Sequence, residues 1–201
     1  MGRISRQYRH PLGEQVLQSV TQNLPWKHFI FDDFLSRATF LRAQKEVTLG
    51  RHRFEVKEGD PYKLRFCLLR QMDLLEAFLS LQFHNLMTQV TGARLTFNSA
   101  NSLQLRLMDE KSPPFPRHLD FYDDGRRSFI AIFYLGVGAT MGSGGELGLH
   151  ESINSPEDKA VLIEPTPNRL VIFSTDHTNW HAVRRVSGGK RYSILGEWIV
   201  K

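Results

Sequence analysis

Four residues in the second half of the chain have the types and the spacing of a mononuclear iron site. His118 and Asp120 form a His-x-Asp pair, His181 follows much later, and Arg191 stands ten residues after His181. On a β-strand, residues two positions apart point to the same face, and a histidine from another strand could complete a three-ligand site. Two imidazoles and one carboxylate on one face of Fe(II) leave positions open for O2 and an organic co-substrate. The pattern therefore predicts an oxygenase-type iron site, with Arg191 as the partner of an anionic co-substrate.

The flanking sequence predicts strands that would carry these residues. Residues 117–122 lie between a proline cluster and the turn signal at residues 123–125, so the His-x-Asp pair is expected on a strand. Residues 128–137 and 169–174 are short apolar runs, typical of strands that are buried on both faces. These runs predict the core of the domain.

The last predicted strand, residues 191–200, alternates between two faces. Arg191, Ser193, Leu195 and Glu197 share one face, and the residues between them share the other. Residues 180–183, which carry His181, form another predicted strand after a polar connection. His181 and Arg191 are thus expected on different strands of one β structure.

The first hundred residues have a different character. Residues 36–49 and 71–90 show helical spacing of apolar residues, and residues 26–31 predict one extra strand. Residues 50–66 predict two short arms around a turn at Gly59, Asp60 and Pro61. We expect residues 1–100 to supply helical support and covering arms for a catalytic core in residues 101–201.

Composition is consistent with one domain over residues 1–201. The chain is 41% hydrophobic with 14 Phe, enough to bury a sizeable core, and no linker or repeat divides it. One cysteine, Cys67, and a start without a basic and apolar leader favour the reducing cytoplasm. No apolar run is long enough to span a bilayer, so no membrane association is expected. The net charge of +5 is modest and typical of a solvated surface.

From about residue 101 to 198 the chain resembles the iron(II)- and 2-oxoglutarate-dependent dioxygenases of the prolyl-hydroxylase-like group. The matching segments occur in family order: RHLDF (117–121), RSFIAIFYL (127–135), GGELGLH (144–150), NRLVIFSTDHTNWHAV (168–183) and RYSILGEW (191–198). The resemblance and the strand pattern together predict a mainly β fold with flanking helices, a double-stranded β-helix or cupin-like jelly roll. The resemblance implies Fe(II) held by His118, Asp120 and His181, with 2-oxoglutarate and O2 as co-substrates.

The same resemblance assigns a co-substrate pocket. Tyr134 lies fourteen residues after Asp120, where hypoxia-type prolyl hydroxylases carry a tyrosine that bonds the distal carboxylate of 2-oxoglutarate. Arg191 offers a permanently charged fork for that carboxylate, and Ser193 can add a donor on the same strand face. Lys190 competes with Arg191 because it lies nine residues after His181.

The primary substrate is where the sequence departs from the family pattern. Phe121 and Tyr122 replace the Asn-Pro that follows the iron-binding Asp in hypoxia-type enzymes, and Glu197 replaces an inward tryptophan. Arg127 falls where those enzymes place a substrate-contacting arginine. Glu197 is expected either to pair with Arg106 or to contact a cationic substrate.

Three functions therefore remain open. The resemblance implies hydroxylation of an unactivated C–H bond in a prolyl or other residue of a protein or peptide, with release of succinate and CO2. The alternative is hydroxylation of a free amino acid or other small metabolite, and a remote alternative is a non-catalytic binding module on the same scaffold. A nucleic-acid substrate is disfavoured, because Glu197 stands where nucleic-acid demethylases of the superfamily carry an arginine.

Overall fold

The apolar and alternating runs of the sequence form strands that assemble into two antiparallel sheets. The computed structural model describes residues 4–9, 16–50, 52–59, 62–69, 73–99, 103–136 and 142–201. Its helices are α1 (Arg37–Leu49), α2 (Asp73–Leu79) and α3 (Leu81–Thr91). Its strands are β1 (Ile4–Arg9), β2 (Val16–Gln22), β3 (His28–Phe31), β4 (Glu55–Gly59), β5 (Tyr62–Leu68), β6 (Leu95–Phe97), β7 (Gln104–Asp109), β8 (Phe115–His118), β9 (Ser128–Tyr134), β10 (Leu147–His150), β11 (Val161–Ile163), β12 (Leu170–Thr175), β13 (Trp180–Val183) and β14 (Lys190–Val200).

The two sheets face each other as a jelly roll. The larger sheet has the order β1-β2-β3-β12-β9-β14-β7-β5-β4, with β6 also paired to β14. The smaller sheet has the order β11-β10-β13-β8. The predicted double-stranded β-helix with flanking helices is confirmed. Its central strands come from residues 103 onward, and the first hundred residues extend the larger sheet at both edges.

Two apolar cores lie on the two faces of the larger sheet. The space between the sheets is filled mainly by aliphatic side chains, among them Ile130, Ile132, Leu149 and Leu195. The outer face packs against the helices through a group of buried rings: Phe34, Phe78, Phe83, Phe133 and Trp198. Burying each such side chain contributes about 1.5–3 kcal/mol, so the outer core stabilises the fold without involving the space between the sheets.

The helices follow the predictions with one difference. Helix α1 begins after Ser36, whose hydroxyl accepts a hydrogen bond from the Thr39 amide, as its spacing predicted. The predicted helix over residues 71–90 is instead two helices, because Ser80 interrupts it. The Ser80 hydroxyl accepts from the Phe83 amide and so caps α3 as a new helix.

The extra strand and the two arms also form. β3 covers most of predicted residues 26–31, and β4 and β5 form an antiparallel hairpin whose outer position extends the large sheet. Asp60 and Pro61 of the predicted turn lie outside the described residues. The first hundred residues therefore hold more β structure than a purely helical support would. Among the described residues, no helix has the length and apolar character needed to cross a membrane.

Asn168 ties the larger sheet to the segment before α1. Its side chain accepts a hydrogen bond from the Leu35 amide and donates one to the Leu35 carbonyl, both at 2.8 Å. Its backbone amide donates to the Tyr134 carbonyl, and its φ of 64° is in the left-handed region. Because Asn tolerates this region better than most residues, one residue provides both the turn and the link.

We predict that Asn168→Ala lowers the free energy of unfolding by about 2–4 kcal/mol, because the buried Leu35 amide and carbonyl lose their partners and alanine is strained at this φ. Asn168→Gly loses the same hydrogen bonds without the strain, and should be less destabilised than the alanine variant by about 1 kcal/mol. Urea unfolding of the two variants measures both effects. Equal stability of the two would contradict the backbone contribution.

Candidate active site

His118, Asp120 and His181 converge between the sheets at one end of the barrel. His118 is the last residue of β8, and it pairs directly with His181 of β13. Asp120 lies two residues beyond the end of β8, so the prediction that a strand covers residues 117–122 is wrong for the part after His118. The three side chains still meet, with Asp120 Oδ2 3.2 Å from His181 Nε2 and Asp120 Oδ1 3.8 Å from His118 Nε2. One ligand atom from each of the three lies within 4.8 Å of the others, a grouping that could hold a metal ion.

Backbone carbonyls orient both imidazoles. His118 Nδ1 lies 2.8 Å from the Pro116 carbonyl, and His181 Nδ1 lies 3.0 Å from the Asn179 carbonyl. A carbonyl only accepts, so Nδ1 carries the hydrogen in each ring and, in the neutral form, leaves the Nε2 lone pair toward Asp120. This outer support is the arrangement usual for metal-binding histidines.

The ionisation of the cluster also suits a metal. Burial, together with the charge of His181, lowers the pKa of His118 to about 4, so its imidazole is neutral near pH 7. Burial opposes ionisation of Asp120, but the hydrogen bond and charge of His181 outweigh it and lower the pKa of Asp120 to about 2. His118 thus offers a neutral imidazole and Asp120 a carboxylate, two ligand types that Fe(II) accepts.

Arg191 lies deep in the same cleft. It is 4% exposed, and its guanidinium lies over the Tyr134 ring, with 5.0 Å between Cζ and the ring centroid. Arg191 Nη1 donates to Ser193 Oγ at 3.3 Å, and Ser193 faces Tyr134 across the β14–β9 pair. Burial raises the pKa of Tyr134, so its hydroxyl keeps its proton as a donor. Lys190, the competing anchor, is exposed.

Two buried polar atoms in this pocket show that it fits an anion. Among the described residues, Tyr134 Oη and Arg191 Nε have no hydrogen-bond partner. Such groups are costly when buried alone, and a carboxylate would accept from both. Gly145 keeps room for the arginine, because a Cβ there would lie 2.7 Å from Arg191 Cδ. The distal carboxylate of 2-oxoglutarate is an anion of this kind.

The cleft that joins the cluster to Arg191 holds about 520 Å³, including its open mouth. Sequence reasoning missed most of its apolar walls, although alternation along β7, β9 and β14 would have indicated many of them. The lining residues are Arg106, Met108, Phe115, His118, Asp120, Ile130, Ile132, Leu147, Phe173, His181, Val183, Arg191, Ser193 and Leu195.

Arg117 is a supporting residue that the sequence did not single out. Its guanidinium donates to the carbonyls of Ser152, Ile153 and Ser155 and pairs with Glu157. It therefore fastens the loop after β10 to the residue that precedes His118. Only its position next to the His-x-Asp pair could have indicated this role.

Two predicted substrate residues are not among those that line the cleft. Arg127 is exposed, in the connection that leads into β9. Glu197 is 8% exposed and accepts hydrogen bonds from Ser128 Oγ at 2.6 Å and Asn98 Nδ2 at 2.9 Å. Burial, with the charge and hydrogen bond of Glu197, raises the pKa of Tyr122 to about 12. Glu197 thus belongs to a buried polar cluster that reaches the loop after Asp120, while Arg106, its expected partner, lines the cleft.

Solved structures share this fold at low sequence identity. A Trichoplax adhaerens prolyl hydroxylase in complex with a hypoxia inducible factor peptide fragment is similar with a TM-score of 0.64 and 19% identity, over 86% of this chain and 83% of that one. A Pseudomonas putida prolyl-4-hydroxylase has a TM-score of 0.64 and 20% identity, over 87% and 92%. A non-haem alpha-ketoglutarate-dependent epimerase from nogalamycin biosynthesis has a TM-score of 0.60 and 14% identity, over 85% and 76%. No curated protein sequence matches the chain.

The family assignment rests on the catalytic half of the sequence. Residues 103–199 match the model of the 2OG-Fe(II) oxygenase superfamily, and this segment contains β7 to β13, all of β14 except Val200, and the His118, Asp120 and His181 cluster. The resemblance seen in the sequence motifs is therefore confirmed. Residues 103–199 thus form a domain of the 2OG-Fe(II) oxygenase superfamily, and the protein is an iron- and 2-oxoglutarate-dependent dioxygenase.

Proposed function

We propose that the protein hydroxylates an unactivated C–H bond at the cleft between its two sheets. In this proposal His118, Asp120 and His181 hold Fe(II), and Arg191, Tyr134 and Ser193 bind the distal carboxylate of 2-oxoglutarate. The convergence of a two-His, one-carboxylate cluster with a buried, incompletely bonded Arg191 in one cleft carries the proposal. When bound, Fe(II), 2-oxoglutarate and O2 would supply an oxidation. One atom of O2 enters succinate as CO2 leaves, and the other is inserted into the C–H bond.

The chain itself contributes orientation and exclusion of water. The carbonyls of Pro116 and Asn179 hold the two imidazoles, and Ser193 holds the Arg191 fork from one side. Aliphatic walls such as Ile132 and Leu195 keep the cleft poor in water, which strengthens the pairing of Arg191 with a carboxylate.

Two substrate classes are proposed for this site. The first is a residue of a protein or peptide, including proline, as the resemblance to prolyl hydroxylases implies. The second is a free amino acid or other small metabolite. Succinate formation across a panel of amino acids, metabolites and proline-containing peptides, with the mass of each product, separates the two classes. Arg127 remains a proposed contact for the peptide class alone, since it lies outside the cleft.

The remaining proposals concern the whole chain. We propose that residues 1–201 act as one domain, because strands from both halves share the larger sheet. A cytoplasmic location also remains a proposal, supported by the single buried Cys67.

We predict that His118→Ala, Asp120→Ala and His181→Ala each lower 2-oxoglutarate turnover by more than about 100-fold while the protein stays folded. Each change removes a metal ligand, whereas the apolar cores remain. His84→Ala, on α3, is the matched control and should retain turnover. Iron titration and circular dichroism accompany the assay, and near-normal turnover in any of the three ligand variants would refute that assignment.

A second prediction separates Arg191 from Lys190. Arg191→Met should raise the 2-oxoglutarate concentration for half-maximal turnover by about 100-fold or more, because an unpaired buried charge costs about 3–5 kcal/mol. Tyr134→Phe should have a smaller effect of the same kind. Lys190→Met is the control, and the anchor would be Lys190 if this variant lost co-substrate affinity instead.

A third prediction concerns pH. His118 has its pKa lowered to about 4, and burial lowers the pKa of His28 and His150 from 6.5. Because the folded chain keeps these rings neutral, the metal-free protein should lose stability as pH falls from 6.5 toward 4, with His118 accounting for at most about 3 kcal/mol. The lowered pKa of Asp120 adds no loss until the pH is below about 4. Urea unfolding at pH 7 and 4.5 measures the loss, and His118→Gln should make it smaller.

A further inference from the structure

Glu197, on the inner row of β14, is the shared acceptor of a buried hydrogen-bond cluster. Ser128 Oγ of β9 donates to Glu197 Oε1 at 2.6 Å, and Asn98 Nδ2, just after β6, donates to Glu197 Oε2 at 2.9 Å. The Tyr122 hydroxyl, in the loop after Asp120, makes a third hydrogen bond to this carboxylate. Donors from three parts of the chain therefore converge on one side chain, which is not among the residues that line the cleft.

Asn98 fixes the Tyr122 end of this cluster. Its side-chain amide has two hydrogens, and it donates one to Glu197 Oε2 and the other to Tyr122 Oη at 2.8 Å. Its backbone amide also donates to the Glu197 carbonyl at 2.9 Å. Asn98 is thus held to Glu197 through its backbone and its side chain, and both residues hold the Tyr122 hydroxyl.

The other end of the cluster reaches the strand that precedes the His181 strand. Thr175 is the last residue of β12, and its hydroxyl oxygen lies 2.6 Å from Ser128 Oγ. Because a carboxylate only accepts, the Ser128 hydroxyl hydrogen is used on Glu197, so Thr175 donates to Ser128 Oγ. A chain of hydrogen bonds therefore connects the end of β12 to the loop after Asp120.

Asp120 depends on such support because strand pairing ends before it. β8 ends at His118, where its pairing with β13 sets the position of that histidine. Beyond Asp120, the cluster holds Tyr122, and the Phe121 ring lies against the ring of His177, with 4.7 Å between the centroids. His177 belongs to the connection between β12 and β13. Asp120 therefore lies on a short span that is held at both ends.

We propose that Glu197 and Tyr122 form an anchor that positions the Asp120 carboxylate for the metal, with Glu197 as the positioning residue. The inference rests on the proposed function, in which Asp120 is a ligand of Fe(II). A ligand that is already in place loses less conformational freedom when the metal binds, so the anchor raises the affinity for the metal without touching it. Supporting groups of this kind typically change metal affinity by about 10–100-fold.

The test measures the binding of Co(II), which accepts imidazole and carboxylate ligands and whose d–d absorption reports the coordination geometry. Tyr122→Phe removes only the hydroxyl and keeps the ring, over which the Arg126 guanidinium lies at 4.7 Å. Glu197→Gln replaces one acceptor oxygen by an NH2 group that faces other donors. The matched controls are Tyr192→Phe, on the outer face of β14, and Glu164→Gln, at an exposed position after β11.

Tyr122→Phe should weaken Co(II) binding by about tenfold or more, and Glu197→Gln by at least as much, with a shifted d–d absorption in both variants. The two controls should bind Co(II) within about threefold of the parent chain. In an Asp120→Ala background, Tyr122→Phe should cause no further loss of Co(II) affinity, because the anchor acts through the missing carboxylate. Urea unfolding of each metal-free variant separates a loss of folded protein from a loss of affinity.

Two results would overturn the inference. One is parental Co(II) affinity and absorption in folded Tyr122→Phe protein, because a lower free energy of unfolding alone would make the cluster a support of the fold and not of the metal site. The other is an equal loss of affinity from Tyr122→Phe with and without Asp120, because the effect would then not pass through that carboxylate. Tyr122→Phe decides the test if Glu197→Gln does not fold. A parent chain that binds neither Co(II) nor Fe(II) would instead refute the proposed function of the cleft.

Discussion

The pairing of β8 with β13 is the constraint on which the site depends. It sets His118 directly opposite His181, and the strand register changes immediately after that pair. A shift of one residue would turn one histidine to the other face, because side chains alternate along a strand. β10 on the other side of β13 places Leu149 opposite His181 and so fixes the same register from both edges. Asp120 needs no strand of its own, since it follows His118 by two residues.

The larger sheet holds a buried cation, Arg191, beside that cluster. Arg191 begins the inner row of β14, and its neighbours along the row are Ser193, Leu195 and Glu197. The opposite face of β14 packs Ile194 and Trp198 against the helices. Because that outer core is extensive, the inner row can contain polar groups whose burial is individually unfavourable. The stability of the fold and the chemistry of the cleft therefore rest on opposite faces of one strand.

Local pattern determined most of what could be predicted from the sequence. Short apolar runs indicated β9 and β12, alternation indicated β14, and Ser36 indicated the start of α1. The break at Ser80 was missed because a helix can contain a serine. Only the capping hydrogen bond of Ser80 shows that a new helix begins there. The partners of Glu197 were missed because Asn98 and Ser128 are distant in sequence and meet it only through pairing of β14 with β6 and β9. The place of Arg106 in the cleft follows from the β7–β14 register, which the sequence does not specify.

Glu197 and Arg106 lie in different surroundings. A carboxylate on the inner row suggested attraction of a cation, but Glu197 accepts hydrogen bonds from Ser128 and Asn98 and is linked to Tyr122 in the loop after Asp120. Glu197 thereby links that loop to the larger sheet. Arg106 instead lines the cleft together with His118 and Asp120. The two charged residues therefore act in different parts of the fold, Glu197 in a buried polar cluster and Arg106 on the wall of the cleft.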